Sequence, residues 1–264
     1  MKALLLCAMF FLPMHAFAST IIVTLPPLAS LVKMLMPDQE VTSLLTANGD
    51  PHDFQLSPKQ VETLQNAALL IRASADDGGW KLHTQQQNSL DLWPSLDHGW
   101  LVPSEVRTIL PILATALAKQ FPAQQELIKT QLAAAIECVN DEEVMWHNTL
   151  LPLQNSGVIL QHPAWNHLFE ANGVTILATL ESKQHHHEHG PHALEHAVET
   201  MESHPQSWLI GDKHHNNRSL EWLANQAASP HTIIYLDALG NAQEHWLMLS
   251  KNNRTIIDKA LTTH

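Results

Sequence analysis

Residues 41–61 read Val-Thr-Ser-Leu-Leu-Thr-Ala-Asn-Gly-Asp-Pro-His-Asp-Phe-Gln-Leu-Ser-Pro-Lys-Gln-Val, and this segment indicates the fold class of the whole chain. The alternating apolar run over residues 41–45 predicts a β-strand. Ser57 and Pro58 then supply an N-cap and a first helical residue, so a helix is predicted to begin there. His52 therefore lies between a strand and a helix, at the carboxyl edge of a predicted parallel sheet, where α/β proteins bind ligands.

Strand and helix patterns alternate along the rest of the chain. Further strands are predicted at 20–24, 68–71, 157–160, 174–177, 207–210 and 232–236. Further helices are predicted at 27–36, 103–120, 163–172, 192–203, 219–227 and 243–261, whereas residues 81–89 show no clear period. Such alternation is typical of a parallel α/β fold. We therefore predict two similar (βα)4-type lobes with parallel sheets, joined by a long spine helix.

The predicted spine helix lies between the two halves. Apolar residues recur near helical spacing from Ala123 to about Leu150, which spans roughly 40 Å as one helix. Two shorter helices, broken near Asn140 and Asp141, are the alternative. The predicted organisation is a signal peptide at 1–18, an N-terminal lobe at 19–121, a linking helix at 122–152 and a C-terminal lobe at 153–264.

The amino-terminal segment has the pattern of a cleaved signal peptide. Lys2 is followed by an apolar core over residues 3–12 and by the small-x-small site Ala16-Phe17-Ala18. An uncleaved anchor is the alternative, but the apolar run is shorter than the ~20 residues of a spanning helix. We therefore expect an exported protein, located in a bacterial periplasm.

The composition is unusually rich in histidine. The chain of 264 residues holds 19 His against 14 Lys+Arg, and its formal net charge is -12. This negative charge disfavours nucleic acid and anionic membranes as partners, because their phosphates would repel it. Cys138 is the only cysteine after residue 18, so no intrachain disulfide is expected. Imidazole chemistry is therefore the feature that a function has to explain.

Three more loops repeat the placement of His52 next to predicted strand ends or helix starts. They hold His98, His162 and Asp237. Neutral imidazole and carboxylate are ligands that suit Zn²⁺. For any one loop histidine, a plain surface or capping role is the alternative. We predict that His52, His98, His162 and Asp237 converge on one divalent metal ion, with zinc favoured.

Four short motifs resemble one known family. The residues His52-Asp53-Phe54-x-x-Ser57-Pro58 and His98-Gly99-Trp100-Leu101-Val102-Pro103 look like the first two ligand motifs of the solute-binding proteins of zinc and manganese ABC importers (cluster A-I, ZnuA-like). The family's third and fourth ligand motifs are similar to two further stretches of this chain, His162-Pro163-Ala164-Trp165 and Leu236-Asp237-Ala238-Leu239-Gly240. The four occur in the family's order across nearly the whole mature chain.

This resemblance implies a monomeric, non-enzymatic protein that captures Zn²⁺ and delivers it to a membrane ABC permease. His162 stands where zinc-selective members carry histidine and manganese-selective members tend to carry Glu, so Mn²⁺ is the less favoured cargo. At the position of Asp237, water or a loop residue is the alternative ligand. Two other functions stay open: a periplasmic zinc buffer or chaperone without a permease, and a metallohydrolase with three histidines on zinc.

A histidine-rich segment, residues 184–196, lies in the C-terminal half of the chain. Possible accessory metal ligands there are His185, His186, His187, His189, His192 and His196, of which the last two have the i, i+4 spacing of one helix face. A solvated loop without an ordered site is the alternative. Candidate acceptors for the free ring nitrogens of the main site are Asp50, Asp53, Asp97 and Asp212.

Overall fold

The computed structural model describes residues 20–46, 49–51, 54–77, 79–80, 82, 88–181, 191–226 and 231–263. The first sheet contains β1 (Ile21–Val23), β2 (Val41–Ser43), β3 (Leu69–Ala73) and β4 (Ser89–Leu92). The second contains β5 (Val158–Leu160), β6 (Ile176–Thr179), β7 (Trp208–Asp212) and β8 (Ile233–Leu236).

Both sheets are parallel and have the same topology. The strand orders are β2-β1-β3-β4 and β6-β5-β7-β8, so the first strand of each half lies between its second and third. All pairings between neighbouring strands are parallel. The predicted fold class, two similar lobes with parallel sheets, is therefore confirmed.

Eight α-helices connect and cover these strands in the described part of the chain. They are α1 (Pro26–Leu35), α2 (Pro58–Gln65), α3 (Pro103–Gln120), α4 (Gln125–Leu150), α5 (Asn166–Ala171), α6 (Pro191–Ser203), α7 (Arg218–Ala224) and α8 (Trp246–Thr263). Helix α2 begins as predicted: Ser57 is its N-cap, and Ser57 and Gln60 form a reciprocal capping box. Gly173 follows α5 with a φ of 72°, the left-handed conformation in which many helices end.

Helix α4 is the predicted spine. It runs for 26 residues without interruption, so the alternative of two shorter helices is wrong. It packs against α1 and α3 from the first half and against α8 from the second. Because one rigid element contacts helices of both halves, it restrains how the two sheets can move relative to each other. The exact residue boundaries of the predicted domains remain predictions.

Buried indole groups also join the two halves near the ends of the sheets. Trp100 Nε1 donates to the carbonyl of Ala238 at 2.7 Å, and Trp246 Nε1 donates to the carbonyl of Trp100 at 2.7 Å. Both indoles are only 1% exposed. The loop after His98 is therefore bonded directly to the loop after Asp237.

The structure differs from the sequence-based prediction at several elements. Strand β4 was not predicted, because this edge strand is short and largely exposed and has no sustained apolar alternation. Strand β6 and helix α8 each begin later along the chain than predicted. Among the described residues, none of the helices combines the length and the apolar character needed to cross a membrane. The predicted signal peptide lies outside the described residues.

Candidate metal centre

Three potential metal ligands meet at the carboxyl edge of the second sheet. His162 follows β5, Glu181 follows β6 and His215 follows β7. Because β5 pairs with both β6 and β7, the ends of these three strands are spatial neighbours. One ligand atom of each side chain lies within 4.8 Å of the others. This is the edge where open α/β sheets bind ligands.

The donor atoms are close to the spacing that a metal ion requires. Glu181 Oε2 is hydrogen-bonded to His162 Nδ1 at 2.8 Å and lies 3.9 Å from His215 Nδ1. Four donors at the usual Zn–N length in tetrahedral geometry are about 3.3 Å apart. The two imidazole rings are stacked, with centroids 4.0 Å apart and an interplanar angle of 17°. Binding therefore requires shifts of about half an ångström and a tilt of the rings.

A buried glutamine holds Glu181. Gln161 is 0% exposed, and its Nε2 donates to Glu181 Oε1 at 2.8 Å. The other end of the same amide, Oε1, accepts the backbone N–H of Leu220 at 2.9 Å. Strand β5, the end of β6 and helix α7 are thus connected through one side chain, which fixes the orientation of the Glu181 carboxylate.

His98 approaches this cluster from the first half. Its ring centroid lies 5.4 Å from that of His162 and 5.2 Å from that of Trp100. Its backbone is left-handed, with a φ of 54°, which is uncommon for a residue other than glycine. Both carboxylate oxygens of Asp76 accept the backbone N–H of His98 at 3.1 Å. Asp76 therefore stabilises the conformation that directs His98 towards His162.

Charges around His98 raise its affinity for a proton. Burial by itself lowers the pKa of His98, but the carboxylates of Asp76 and Asp97 raise it more, so its pKa lies above the ordinary value. Burial raises the pKa of Asp76 to about 6, against the opposing effect of His98. A group of buried carboxylates and imidazoles of this kind favours a cation in their midst.

Two cavities adjoin the cluster. The smaller has a volume of about 10 Å³ and is lined by residues that include His98, His162, His215, Asp76 and Asp212. That volume is close to the space of one water-sized particle. Within the described residues, Asp212 Oδ2 is buried and accepts no hydrogen bond. The second cavity, about 320 Å³, extends from His98 and His162 to Trp80.

Asp237 has hydrogen-bond partners of its own. Its Oδ1 accepts the backbone N–H groups of Leu239 at 3.0 Å and Gly240 at 2.7 Å, and lies 3.0 Å from His214 Nε2. Burial raises the pKa of Asp237, but hydrogen bonds from His214 and the backbone lower it to about 2. The carboxylate is thus ionised, and it orders the turn that begins at residue 237.

The structure brings some of the sequence-predicted residues together and leaves others undescribed. His98 and His162 are neighbours, and Pro51, next to His52 in the chain, lines both cavities. His196 is exposed on α6. The residues whose side chains lie outside the described part of the chain are His52, His185, His186, His187, His189 and His192. Metal binding by these nine histidines and by Asp237 remains a prediction.

Sequence reasoning missed Glu181 and His215 as members of the cluster. Both come directly after β-strands, as His162 does, so the same positional signal was available for them. Of the predicted acceptors, Asp97 Oδ2 lies 3.8 Å from His98 Nδ1. The closer carboxylates are Asp76 at His98 and Glu181 at His162.

Fold and site together define a two-lobed α/β binding protein whose candidate ligands meet at the ends of parallel strands. Residues 21–260 match the family described as ZnuA, zinc-uptake complex component A, periplasmic. The chain belongs to this family of metal-binding solute-binding proteins of ABC importers, and is a non-enzymatic transport component.

Individual relatives are distant. A Thermotoga maritima protein with the name "Putative metal-binding protein" is 27% identical over 199 residues. This match covers 70% of this chain and 73% of the Thermotoga maritima protein. A crystal structure of ZnuA is 19% identical with a TM-score of 0.74, covering 90% of this chain and 98% of that chain. The binding protein FpvC of Pseudomonas aeruginosa, solved with Mn²⁺, is 15% identical with a TM-score of 0.75, covering 93% and 99%. At these identities the two structures establish the fold alone.

Proposed function

We propose that this protein captures a divalent metal ion, Zn²⁺ in preference to Mn²⁺, and delivers it to a membrane ABC permease. The observation that supports this most directly is the cluster of His162, Glu181 and His215, whose ligand atoms lie within 4.8 Å of one another. These three donors leave one tetrahedral position for an imidazole of the facing half, His98 or His52. The set that the sequence predicts, His52, His98, His162 and Asp237, likewise holds three imidazoles and one carboxylate.

The donor types favour zinc. A fold similar to this one is solved with Mn²⁺ in FpvC, so the fold does not select the metal and the side chains have to. Imidazole nitrogens are softer donors than carboxylate oxygens and suit zinc, whereas manganese prefers sites rich in oxygen. A set of three imidazoles and one carboxylate therefore favours Zn²⁺.

The proposed cellular location rests on the amino-terminal segment. We propose that residues 1–18 are a signal peptide that is cleaved on export, and that the mature protein acts as a monomer in the periplasm. The family description, a periplasmic component of a zinc-uptake complex, supports this location.

Metal analysis tests the proposed function directly. Protein purified without a metal-affinity column is expected to contain one zinc per chain by elemental analysis, because one cluster is sufficient for one ion. A chain that takes up no zinc, or that retains manganese from an equimolar mixture, would contradict the proposal. Two or more zinc ions would indicate that the histidine-rich segment at 184–196 also binds zinc.

Growth of a strain with the gene deleted, in medium that contains a chelator, separates an importer component from a buffer. An importer component is required for this growth, whereas a buffer is not.

Zinc affinity is expected to fall as the pH drops from 7 to 5. A protonated imidazole has no lone pair for the metal, and each ligand with an ordinary pKa of ~6.5 then costs about 25-fold in affinity over this interval. Because the pKa of His98 is raised, its contribution is lost at a higher pH than that of an ordinary histidine. Competition titration against a chelator of known pH dependence measures the change, and a flat profile would contradict histidine ligation.

A further inference from the structure

We propose that Gln161 determines metal selectivity, by restricting Glu181 to one metal-binding oxygen and so favouring four-coordinate Zn²⁺ over Mn²⁺. The inference rests on the proposed function, because it concerns the cation held at the same cluster. Gln161 is not itself a ligand in this proposal. It acts through Glu181 and is therefore a specificity-determining positioning residue.

The first argument is the rigidity of the Gln161 amide. The side chain is fully buried, and both ends of the amide are engaged. Nε2 donates to Glu181 Oε1 at 2.8 Å, while Oε1 accepts the Leu220 N–H at 2.9 Å. The acceptor bond determines which way round the amide lies. Its NH₂ group must therefore face Glu181, and a rotation of the amide would break both hydrogen bonds.

The second argument is that the two carboxylate oxygens of Glu181 have different partners. Oε1 accepts the hydrogen bond from Gln161, whereas Oε2 is hydrogen-bonded to His162 Nδ1 at 2.8 Å and lies 3.9 Å from His215 Nδ1. A metal ion that replaces the proton between Oε2 and His162 Nδ1 meets Oε2. For Oε1 to join the same ion, the carboxylate would have to turn and give up the hydrogen bond from Gln161.

The third argument is the coordination chemistry of the two metals. Zinc in protein sites is commonly tetrahedral and takes one oxygen from a carboxylate without difficulty. Manganese prefers octahedral, oxygen-rich surroundings, which a carboxylate bound through both oxygens helps to supply. A site that contains Glu181 could therefore admit Mn²⁺, and the bond from Gln161 works against this. The fixed carboxylate leaves a low coordination number, which zinc tolerates better.

Replacing the amide tests the proposal. Gln161→Met keeps the approximate length of the side chain but removes the donor to Glu181. The readout is the ratio of the Mn²⁺ and Zn²⁺ dissociation constants, from competition titrations of the metals alone. Since changes to groups that orient a ligand typically alter metal affinity 10- to 100-fold, we expect the preference for zinc to fall by about tenfold or more. An unchanged ratio in the folded variant would overturn the proposal.

A matched control is available in the same lobe. Gln154 Nε2 donates to the backbone carbonyl of Asn172 at 2.8 Å, and Asn172 lies at the end of α5 rather than in the cluster. Gln154→Met removes a similar amide hydrogen bond and is expected to leave the metal ratio unchanged. An equal change in both variants would show a general loss of packing and would overturn a specific role for Gln161.

A second measurement does not depend on the folding of the Gln161 variant, which leaves the Leu220 N–H without its acceptor. The unsubstituted protein is loaded with Co²⁺, and its visible absorption is recorded. We expect the intense bands of four-coordinate Co²⁺, whereas the weak bands of six-coordinate Co²⁺ would overturn the proposal. Failure of the unsubstituted protein to bind Zn²⁺, Mn²⁺ or Co²⁺ would instead reject the proposed function. Zinc binding with an unchanged ratio in Gln161→Met rejects the role of Gln161 alone.

Discussion

Replacement of His162 by alanine is expected to weaken zinc binding by at least about 100-fold. His162 belongs both to the sequence-predicted ligands and to the cluster with Glu181 and His215. Changes to groups that only orient a ligand cost about 10- to 100-fold, so loss of a direct ligand should cost at least the upper end of that range. The substitution also removes the imidazole that lies 2.8 Å from Glu181. Competition titration at pH 7 measures the loss.

An exposed histidine outside the site provides the control for this prediction. His147 is exposed on α4, and His147→Ala removes an imidazole without touching the cluster. Its zinc affinity should equal that of the unsubstituted protein. If His162→Ala bound zinc within a few-fold of the unsubstituted protein, the cluster would not be the metal centre.

Replacement of Arg254 by alanine is expected to cost roughly 3–5 kcal/mol of unfolding free energy, because it breaks a buried ion pair by removing one partner. Arg254 on α8 donates to Glu142 on α4 through two nitrogens, at 3.0 and 2.8 Å. Ser250 donates to the same carboxylate at 2.7 Å. The side chains of Arg254 and Glu142 are 12% and 10% exposed. Alanine would leave the Glu142 carboxylate buried between two helices without its positive partner.

Arg107 provides a matched control for Arg254. It pairs with Glu143 on the same spine helix, but the two side chains are 39% and 42% exposed. Exposed ion pairs contribute about 0–1 kcal/mol, since water screens them. Urea denaturation of the metal-free proteins should therefore show a large loss for Arg254→Ala and a small one for Arg107→Ala. Equal losses would contradict a special role for the buried pair in joining α4 to α8.

Much of the fold could be predicted from local patterns. The capping residues at Ser57 and the left-handed Gly173 set helix ends through their own backbone groups and immediate neighbours. Periodic apolar residues predicted α4 and most strands, because burial of one face requires that period. Strand β4 was not predicted, because it is a strand through its pairing with β3 rather than through its own sequence pattern.

The candidate site could be predicted only in part. Placement after strand ends identified His98 and His162, whose rings lie 5.4 Å apart. The same placement applied to Glu181 and His215, but the sequence offers no measure of which strand ends are adjacent.

The sequence by itself determined the class of fold, the family and the abundance of imidazole donors, because these depend on residue types, their periods and their order. Only the tertiary structure decided that Glu181 and His215 lie beside His162 and that Gln161 bonds to Glu181. Parallel strands place residues distant in the chain side by side, and the order β6-β5-β7 results from packing of the whole sheet. The hydrogen bond that fixes Glu181 exists only once that order is formed, and no local pattern along the chain encodes it.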